Sequence, residues 1–217
     1  MSIEIKKSIK PVNYLDAIKY LEQRVDDVIK NKAKELIWIL EHPSTFTAGT
    51  SYNKNDILDK SIDIIETSRG GKITWHGPGQ LIFYFVINLN NKKKDIRKFI
   101  NIIEKSIITS LKKFEVHSYS DKKNIGIWIK ENGVERKVGA IGIRIKKWIA
   151  YHGFSLNISN DISNYKKIIP CGIKNKELML HSYKIKFIIN NKKYTYKALL
   201  PKYFKKILQT KRLKFLN

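Results

Sequence analysis

Cys171 and Lys137 have the side chains and the settings for covalent chemistry. Cys171 stands in Ile169-Pro170-Cys171-Gly172-Ile173 and is the single cysteine of the 217-residue chain. Proline before it and glycine after it predict a turn rather than a core strand, which exposes the thiol instead of burying it as a small hydrophobe. A free thiol has a pKa of roughly 8.5, so a nucleophilic cysteine needs a lysine, a histidine or a helix N-terminus to favour the thiolate. Lys137 lies in Arg136-Lys137-Val138-Gly139-Ala140-Ile141-Gly142. In so lysine-rich a chain most lysines are solvated surface, but Gly139 and Gly142 inside a strand pattern signal close approach of backbone.

A third segment concentrates unusual residues. Arg69-Gly70-Gly71-Lys72-Ile73-Thr74-Trp75-His76-Gly77-Pro78-Gly79-Gln80 carries four glycines, a proline, an arginine and a histidine between two strand-like runs. Glycine at this density lets backbone approach a ligand closely, and a loop held by strands on both sides is where binding and catalysis concentrate. Tyr151-His152-Gly153-Phe154-Ser155 repeats the His-Gly pairing of His76-Gly77. Two histidines at strand ends could be catalytic or metal-binding. The spacing of Cys, His and carboxylates matches no metal site, and no metal is expected.

These residues must be positioned by regular structure, and the pattern is legible. Tyr14, Ala17, Ile18, Leu21, Val25, Val28 and Ile29 recur at helical spacing from Asn13 to about Asn31, with Asn13 as cap and Asp16 in the first turn. Glu35–Glu41 reads as a strand ended by Pro43, and Ser61–Thr67 as another leading into Arg69. Gln80–Leu89 is almost wholly apolar, as for a central strand covered on both faces. Asp95–Phe114 predicts a second helix with one apolar stripe. Asn132-Gly133 predicts a hairpin, and strands at 141–145 and 148–158 flank Lys146-Lys147. A further hairpin is expected around 190–193 and a short helix near 201–209. No Ser/Gly-rich linker and no repeat interrupts the chain. The expectation is one α/β domain over residues 1–217, with a mixed sheet flanked by helices.

Composition narrows the function classes. Hydrophobic content of 42% and aromatic content of 11% indicate an ordinary globular protein. No run approaches the roughly 18 apolar residues of a membrane span, and the N-terminus has no secretory h-region. One cysteine excludes an internal disulfide and fits a reducing, cytoplasmic compartment. Lys and Arg total 43 against 19 Asp and Glu, a formal charge of +24. That excess could suit nucleic acid, an anionic membrane or an acidic protein. The basic runs are short and scattered and do not interleave with aromatics, which argues against nucleic acid. Lys, Ile and Asn share A/T-rich codons, so genome composition accounts for much of the excess.

Taken in order, RGGKITWHGPGQL, KVGAIGIRIKKWIAYHGFSLNI and PCGI resemble the lipoyl(octanoyl) transferases of lipoic acid biosynthesis, as does the earlier segment Glu41-His42-Pro43-Ser44-Thr45-Phe46-Thr47-Ala48-Gly49. The resemblance covers about residues 35–173. It implies the fold of biotin and lipoate protein ligases, and transfer of an octanoyl group from the thioester of acyl carrier protein to a lysine ε-amine. The acceptors it implies are lipoyl domains of 2-oxoacid dehydrogenases and the glycine cleavage H protein, with no nucleic acid, no membrane and a monomeric enzyme. Cys171 matches the family's nucleophile and Lys137 the lysine that lowers its pKa. Arg69, Gly70, Gly71, Lys72, Ile73, Thr74, Trp75 and His76, then Ala140, Ile141 and Gly142, then Gly153, Phe154 and Ser155 match the segments lining the acyl site. Tyrosine is frequent in the family where Trp75 stands, and the family pattern is lost over Lys174–Tyr183.

The implied chemistry is self-consistent. Thiolate attack on a thioester exchanges one thioester for another, and the following thioester-to-amide step is downhill. No ATP and no other cofactor is needed, in keeping with the absence of a Walker-type motif. Backbone amides near Gly77 or Gly172 are candidates to hold the tetrahedral oxyanion. Two rivals stand beside this reading. An ATP-dependent lipoate or biotin ligase would use a lysine like Lys137 but need no cysteine at 171. A non-catalytic binding module would leave Cys171 inert.

Overall fold

The computed structural model describes residues 3–90, 92, 94–170 and 179–180. Its strands are β1 (Ile3–Lys7), β2 (Glu35–Leu40), β3 (Thr45–Ala48), β4 (Ile64–Glu66), β5 (Ile73–His76), β6 (Gln80–Asn88), β7 (Ser118–Ser120), β8 (Ile127–Glu131), β9 (Val134–Lys146), β10 (Ile149–Asn157) and β11 (Met179–Leu180). The helices are α1 (Tyr14–Ile29) and α2 (Ile96–Lys112). Cys171, Gly172 and the hairpin and helix expected near 190–193 and 201–209 lie outside the described residues.

Both helices start where their caps dictate. The Asn13 side chain accepts from the Leu15 and Asp16 amides, and Asp95 accepts from Lys98 N. Each cap satisfies donors that the first turn leaves unpaired, which stabilises a helix by about 1 kcal/mol. The apolar stripes then set the layers. Ala17, Leu21 and Val25 of α1 pack on Ile82, Tyr84 and Val86 of β6. Phe99, Ile103 and Ile107 of α2 pack with Leu81, Phe83, Phe85 and Ile87 of the same strand. Because side chains alternate along a strand, these two sets point to opposite faces, and β6 reads as a continuous apolar run since helices cover both.

The main sheet runs β1-β2-β6-β10-β9-β8-β7, with β11 pairing to β9. It is mixed: β1–β2 and β9–β11 are parallel, and the other ladders are antiparallel. The β8–β9 hairpin turns on Asn132 (φ 50°) and Gly133 (φ 83°), the paired positive dihedrals that an Asn-Gly turn supplies. The next hairpin turns one residue later than Lys146-Lys147 suggests, since Lys147 and Trp148 carry the positive φ values.

A second sheet, β4-β3-β5, stands beside the first. It revises two expectations. The strand expected over 61–67 is confined to Ile64–Glu66 at the edge of this sheet. The segment from Arg69 to Gln80 is only partly loop, since Ile73–His76 forms β5 and pairs antiparallel with β3. Its own small core, with Phe46, Ile73, Trp75, Tyr165 and Ile168, provides the burial that a four-residue strand needs.

Candidate active site

Strand β9 organises the site. Its residues 139–146 pair with β10, while 134–139 pair with β8 on the other edge. Ile127 pairs with Gly139 and Trp128 with Lys137, so Val138 is an extra residue and the ladder bulges beside Lys137. A bulge breaks the two-residue alternation and re-aims the neighbouring side chain. Lys137 is consequently buried, 4% exposed, with Nζ donating to the Ile125 carbonyl at 2.9 Å and lying 5.5 Å from the centroid of the Trp128 ring. Burying an ammonium is unfavourable unless it is hydrogen-bonded, and the carbonyl and the ring face are what hold it.

Beyond residue 139 the free edge of β9 is met by the segment that begins at Arg69. Gly70 N donates to Ile143 O at 3.2 Å. Gly142 leaves room for that segment: a Cβ there would stand 3.2 Å from the Gly70 carbonyl. Arg69 is buried, with NH2 donating to the Thr47 carbonyl (3.0 Å) and hydroxyl (2.9 Å), and NH1 to the Gly70 carbonyl. Thr47 comes from the Glu41–Gly49 segment, so this part of the sequence supports the arginine. Glu41 acts similarly on the turn before β6, accepting from Gly79 N at 2.8 Å.

Between these elements lies a cavity of about 400 Å³. Arg69, Gly70, Gly71, Lys72, Thr74, His76, Lys137, Ala140, Ile141, Gly142, Gly153, Phe154 and Ser155 all line it, so the structure brings together nearly every expected site residue that it describes. Ile73 and Trp75 are the corrections. Alternation along β5 turns them away from the cavity into the small core, where the Trp75 ring meets Tyr165 edge-on at 5.6 Å and its Nε1 donates to Ser44. Gly77 is likewise absent from the lining and packs under the Trp75 ring, so its amide is not placed to hold an oxyanion at the cavity.

The cavity also takes in residues that sequence reasoning passed over. Tyr14, Ile82, Tyr84, Ile100, Lys123, Asn124, Ile125 and Ile143 line it, together with His152, which its His-Gly pairing had already marked. Tyr14 sits in the apolar stripe of a helix and Tyr84 in an almost wholly apolar strand, both of which read simply as core, so no local signal marked them. Behind the lining, His42 Nδ1 lies 2.6 Å from the Val12 carbonyl and Nε2 lies 2.8 Å from Tyr84 Oη. A carbonyl only accepts, so Nδ1 carries the proton and Nε2 accepts from the tyrosine. Burial pushes His42 down to about 4, and it pushes His76 down to about 3, with His42 and Arg69 nearby adding to the effect. His152 is pushed down to about 3 by burial and by Arg69 and Arg144. All three imidazoles are neutral at pH 7. Among the described residues no group of His, Cys, Asp and Glu is arranged to hold a metal ion, and no helix is long and apolar enough to cross a membrane.

A cavity with largely apolar walls that also takes in a buried lysine and a buried arginine suits an acyl chain bearing a polar head. Comparison with known proteins agrees. Residues 13–186 match the lipoyl protein ligase A/B catalytic domain. The chain is 45% identical over 164 residues to an octanoyltransferase of Wolbachia sp. subsp. Brugia malayi, covering 75% of this chain and 80% of that one. It is 42% identical over 174 residues to an octanoyltransferase of Ehrlichia canis, covering 79% and 81%. In three dimensions it superposes on the bipartite lipoate protein ligase of Thermoplasma acidophilum with a TM-score of 0.67 at 13% identity, covering 95% of this chain and 84% of that one. The expected ligase-like α/β fold is therefore present, and the chain belongs to the lipoyl protein ligase A/B catalytic-domain family.

Proposed function

We propose that this protein is an acyltransferase that moves an octanoyl group from the thioester of acyl carrier protein to the ε-amine of a lysine on lipoyl domains, through a thioester on Cys171. The observation that carries the reading is the buried Lys137 in the lining of an acyl-sized cavity, in a chain 40% or more identical to octanoyltransferases over most of its length. Chain connectivity adds to it: β11 returns after residue 171 and pairs Leu180 with Lys137.

The steps follow from the side chains. As an ammonium, Lys137 lowers the energy of a neighbouring thiolate. The Cys171 thiolate attacks the octanoyl carbonyl, the carbonyl–sulfur bond to the carrier breaks, and the carrier leaves as its thiol, taking the proton from Lys137 and leaving that amine neutral. The octanoyl chain lies along Ile82, Ile100, Ile125, Ile141 and Ile143, where burial of each methylene is worth about 0.8 kcal/mol. The acceptor amine then attacks the Cys171 thioester carbonyl, an amide bond forms, and Cys171 departs as a thiolate. The proton lost by the amine passes to Lys137 in its neutral form. The surplus of positive charge would steer an acidic carrier protein toward the site.

Intact-mass spectrometry after mixing the protein with octanoyl-acyl carrier protein, without ATP, tests this. The expected result is a gain of one octanoyl group, lost in Cys171→Ser and discharged by an apo lipoyl domain. A protein that stays unmodified until octanoate and ATP are supplied would be a ligase instead.

A further inference from the structure

Trp128 on β8 stands directly across the ladder from Lys137 on β9. Ile127 and Ile129 point into the core that α2 covers, and alternation puts Trp128 on the other face, with Lys137. Trp128 is buried, yet none of the three apolar clusters of described residues includes it. Its ring centroid lies 5.5 Å from Lys137 Nζ, and its Nε1 donates to the Asn124 carbonyl at 2.8 Å. The next carbonyl along the chain, that of Ile125, accepts from Lys137 Nζ at 2.9 Å.

The indole and the lysine amine therefore hold consecutive carbonyls of one short strap, the segment 121–126 that leads into β8. Asp121 fixes its far end, the carboxylate accepting from Lys123 N at 2.7 Å and Asn124 Nδ2 at 3.1 Å. Asn124 and Ile125 are exposed and also line the cavity, so the strap is a thin wall between Lys137 and solvent. An ammonium has three N–H donors. Among the described residues the Ile125 carbonyl is the single acceptor for Nζ. A lysine buried only to complete the fold would strand its other donors at a cost in stability. Held from one side, Lys137 keeps them for a reacting group in the cavity that it lines.

We propose that Trp128 is the positioning residue for Lys137. Its Nε1 anchors the strap, the Ile125 carbonyl of the strap aims Nζ, and the ring face favours the cation so aimed. What the amine then does rests on the function proposed above, which pairs Lys137 with Cys171. The placement itself rests on the three contacts just given. Without the indole N–H the strap loses the bond at its middle, and Nζ can follow the Ile125 carbonyl away from its place. One such bond shifts an equilibrium by about fivefold, and loss of the ring face adds a factor of similar size.

Trp128→Phe keeps an aromatic ring and deletes the donor, while Trp128→Leu deletes both; the phenylalanine variant carries the test if the leucine variant does not fold. Trace acetylation of the full chain with acetic anhydride, read at Lys137 by peptide mass spectrometry, reports how the amine is held. Labelling should quicken about fivefold in Trp128→Phe and further in Trp128→Leu, and stay constant at Lys146, which pairs with Asp26 on the surface. Iodoacetamide alkylation of Cys171 against pH reads the consequence. Both substitutions should move the curve to higher pH, and neither should move it further once Lys137 is replaced by Ala. Unchanged Lys137 labelling in Trp128→Phe would overturn the proposal. So would a curve that shifts in Lys137→Ala but not in Trp128→Phe, or one that shifts as much without the lysine as with it. Labelling that responds while the curve moves in no variant, Lys137→Ala included, would sink the pairing with Cys171 and leave the positioning standing.

Discussion

Lys137 reaches its place through the space that a side chain on Gly126 would fill. A Cβ at Gly126 would stand 2.5 Å from Lys137 Cε and 3.1 Å from its Nζ, and Gly126 has φ 146°, where glycine is at ease and other residues are strained. Gly126→Ala should therefore displace the ammonium as well as strain the backbone. The expected outcome is a loss of stability of roughly 2 kcal/mol and a slowing of octanoyl-enzyme formation by at least tenfold. Denaturant unfolding and stopped-time mass spectrometry measure the two. An alanine variant that is destabilised yet acylates at the wild-type rate would separate Gly126 from the placement of Lys137.

Replacing Lys137 itself isolates the charge. In Lys137→Ala the cation beside the proposed nucleophile is gone, so the Cys171 thiol should titrate higher and react more slowly with iodoacetamide at pH 7. Each unit of upward shift reduces the thiolate tenfold. Lys137→Arg retains the charge, but a planar guanidinium does not fit the channel past Gly126, so only partial recovery is expected. A rate–pH curve that does not move in the alanine variant would refute the pairing of Lys137 with Cys171.

The floor of the cavity makes a sharper demand on backbone spacing. A Cβ at Gly153 would stand 1.9 Å from the Phe83 carbonyl oxygen, across the β10–β6 ladder at the centre of the sheet. The carbonyl cannot yield without breaking that ladder, so Gly153→Ala should cost several kcal/mol and leave little folded protein. Gly133→Ala is the control. It also has positive φ, but nothing lies within 4 Å of its Cβ position, so only the local strain of about 1–2 kcal/mol remains. Equal unfolding midpoints for the two variants would contradict this reading of the floor.

Periodicity was enough to locate the parts of the fold that are apolar and regular. Strand β6 and helices α1 and α2 stand where a continuous apolar run and helical spacing put them, because the faces each element buries are written locally in the residue order. β5 was hidden because its four residues earn strand geometry from β3, which is distant in sequence, and not from any pattern of their own. The same holds for the site. Arg69, the glycines and Lys137 were legible as oddities of type and spacing, whereas Tyr84 and His42 act through a bond between a core strand and a Glu-His-Pro turn 42 residues away. Ile73 and Trp75 were misplaced because a continuous motif was treated as one surface, while a strand sends alternate residues to opposite sides.

Three buried neutral histidines make stability depend on pH in a defined window. His42 is held to about 4, and His76 and His152 to about 3, against 6.5 in the unfolded chain. Each folded pKa is depressed, so below pH 6.5 the unfolded state binds protons that the folded state refuses. Their contribution is fully present above pH 6.5 and is lost as pH falls toward 4. With one proton per group the slope reaches at most about 4 kcal/mol per pH unit for the three together. Carboxylates whose pKa values are lowered on folding, such as Asp59 and Asp161, act in the same direction but below about pH 4, outside this window. Urea unfolding at pH 7.5, 6.0 and 5.5 should show a steep fall between the last two values. His76→Asn, which cannot charge, should flatten it by about a third. A stability unchanged from pH 7.5 to 5.5 would mean that protons reach these imidazoles in the folded protein, and that the cavity is far wetter than its lining implies.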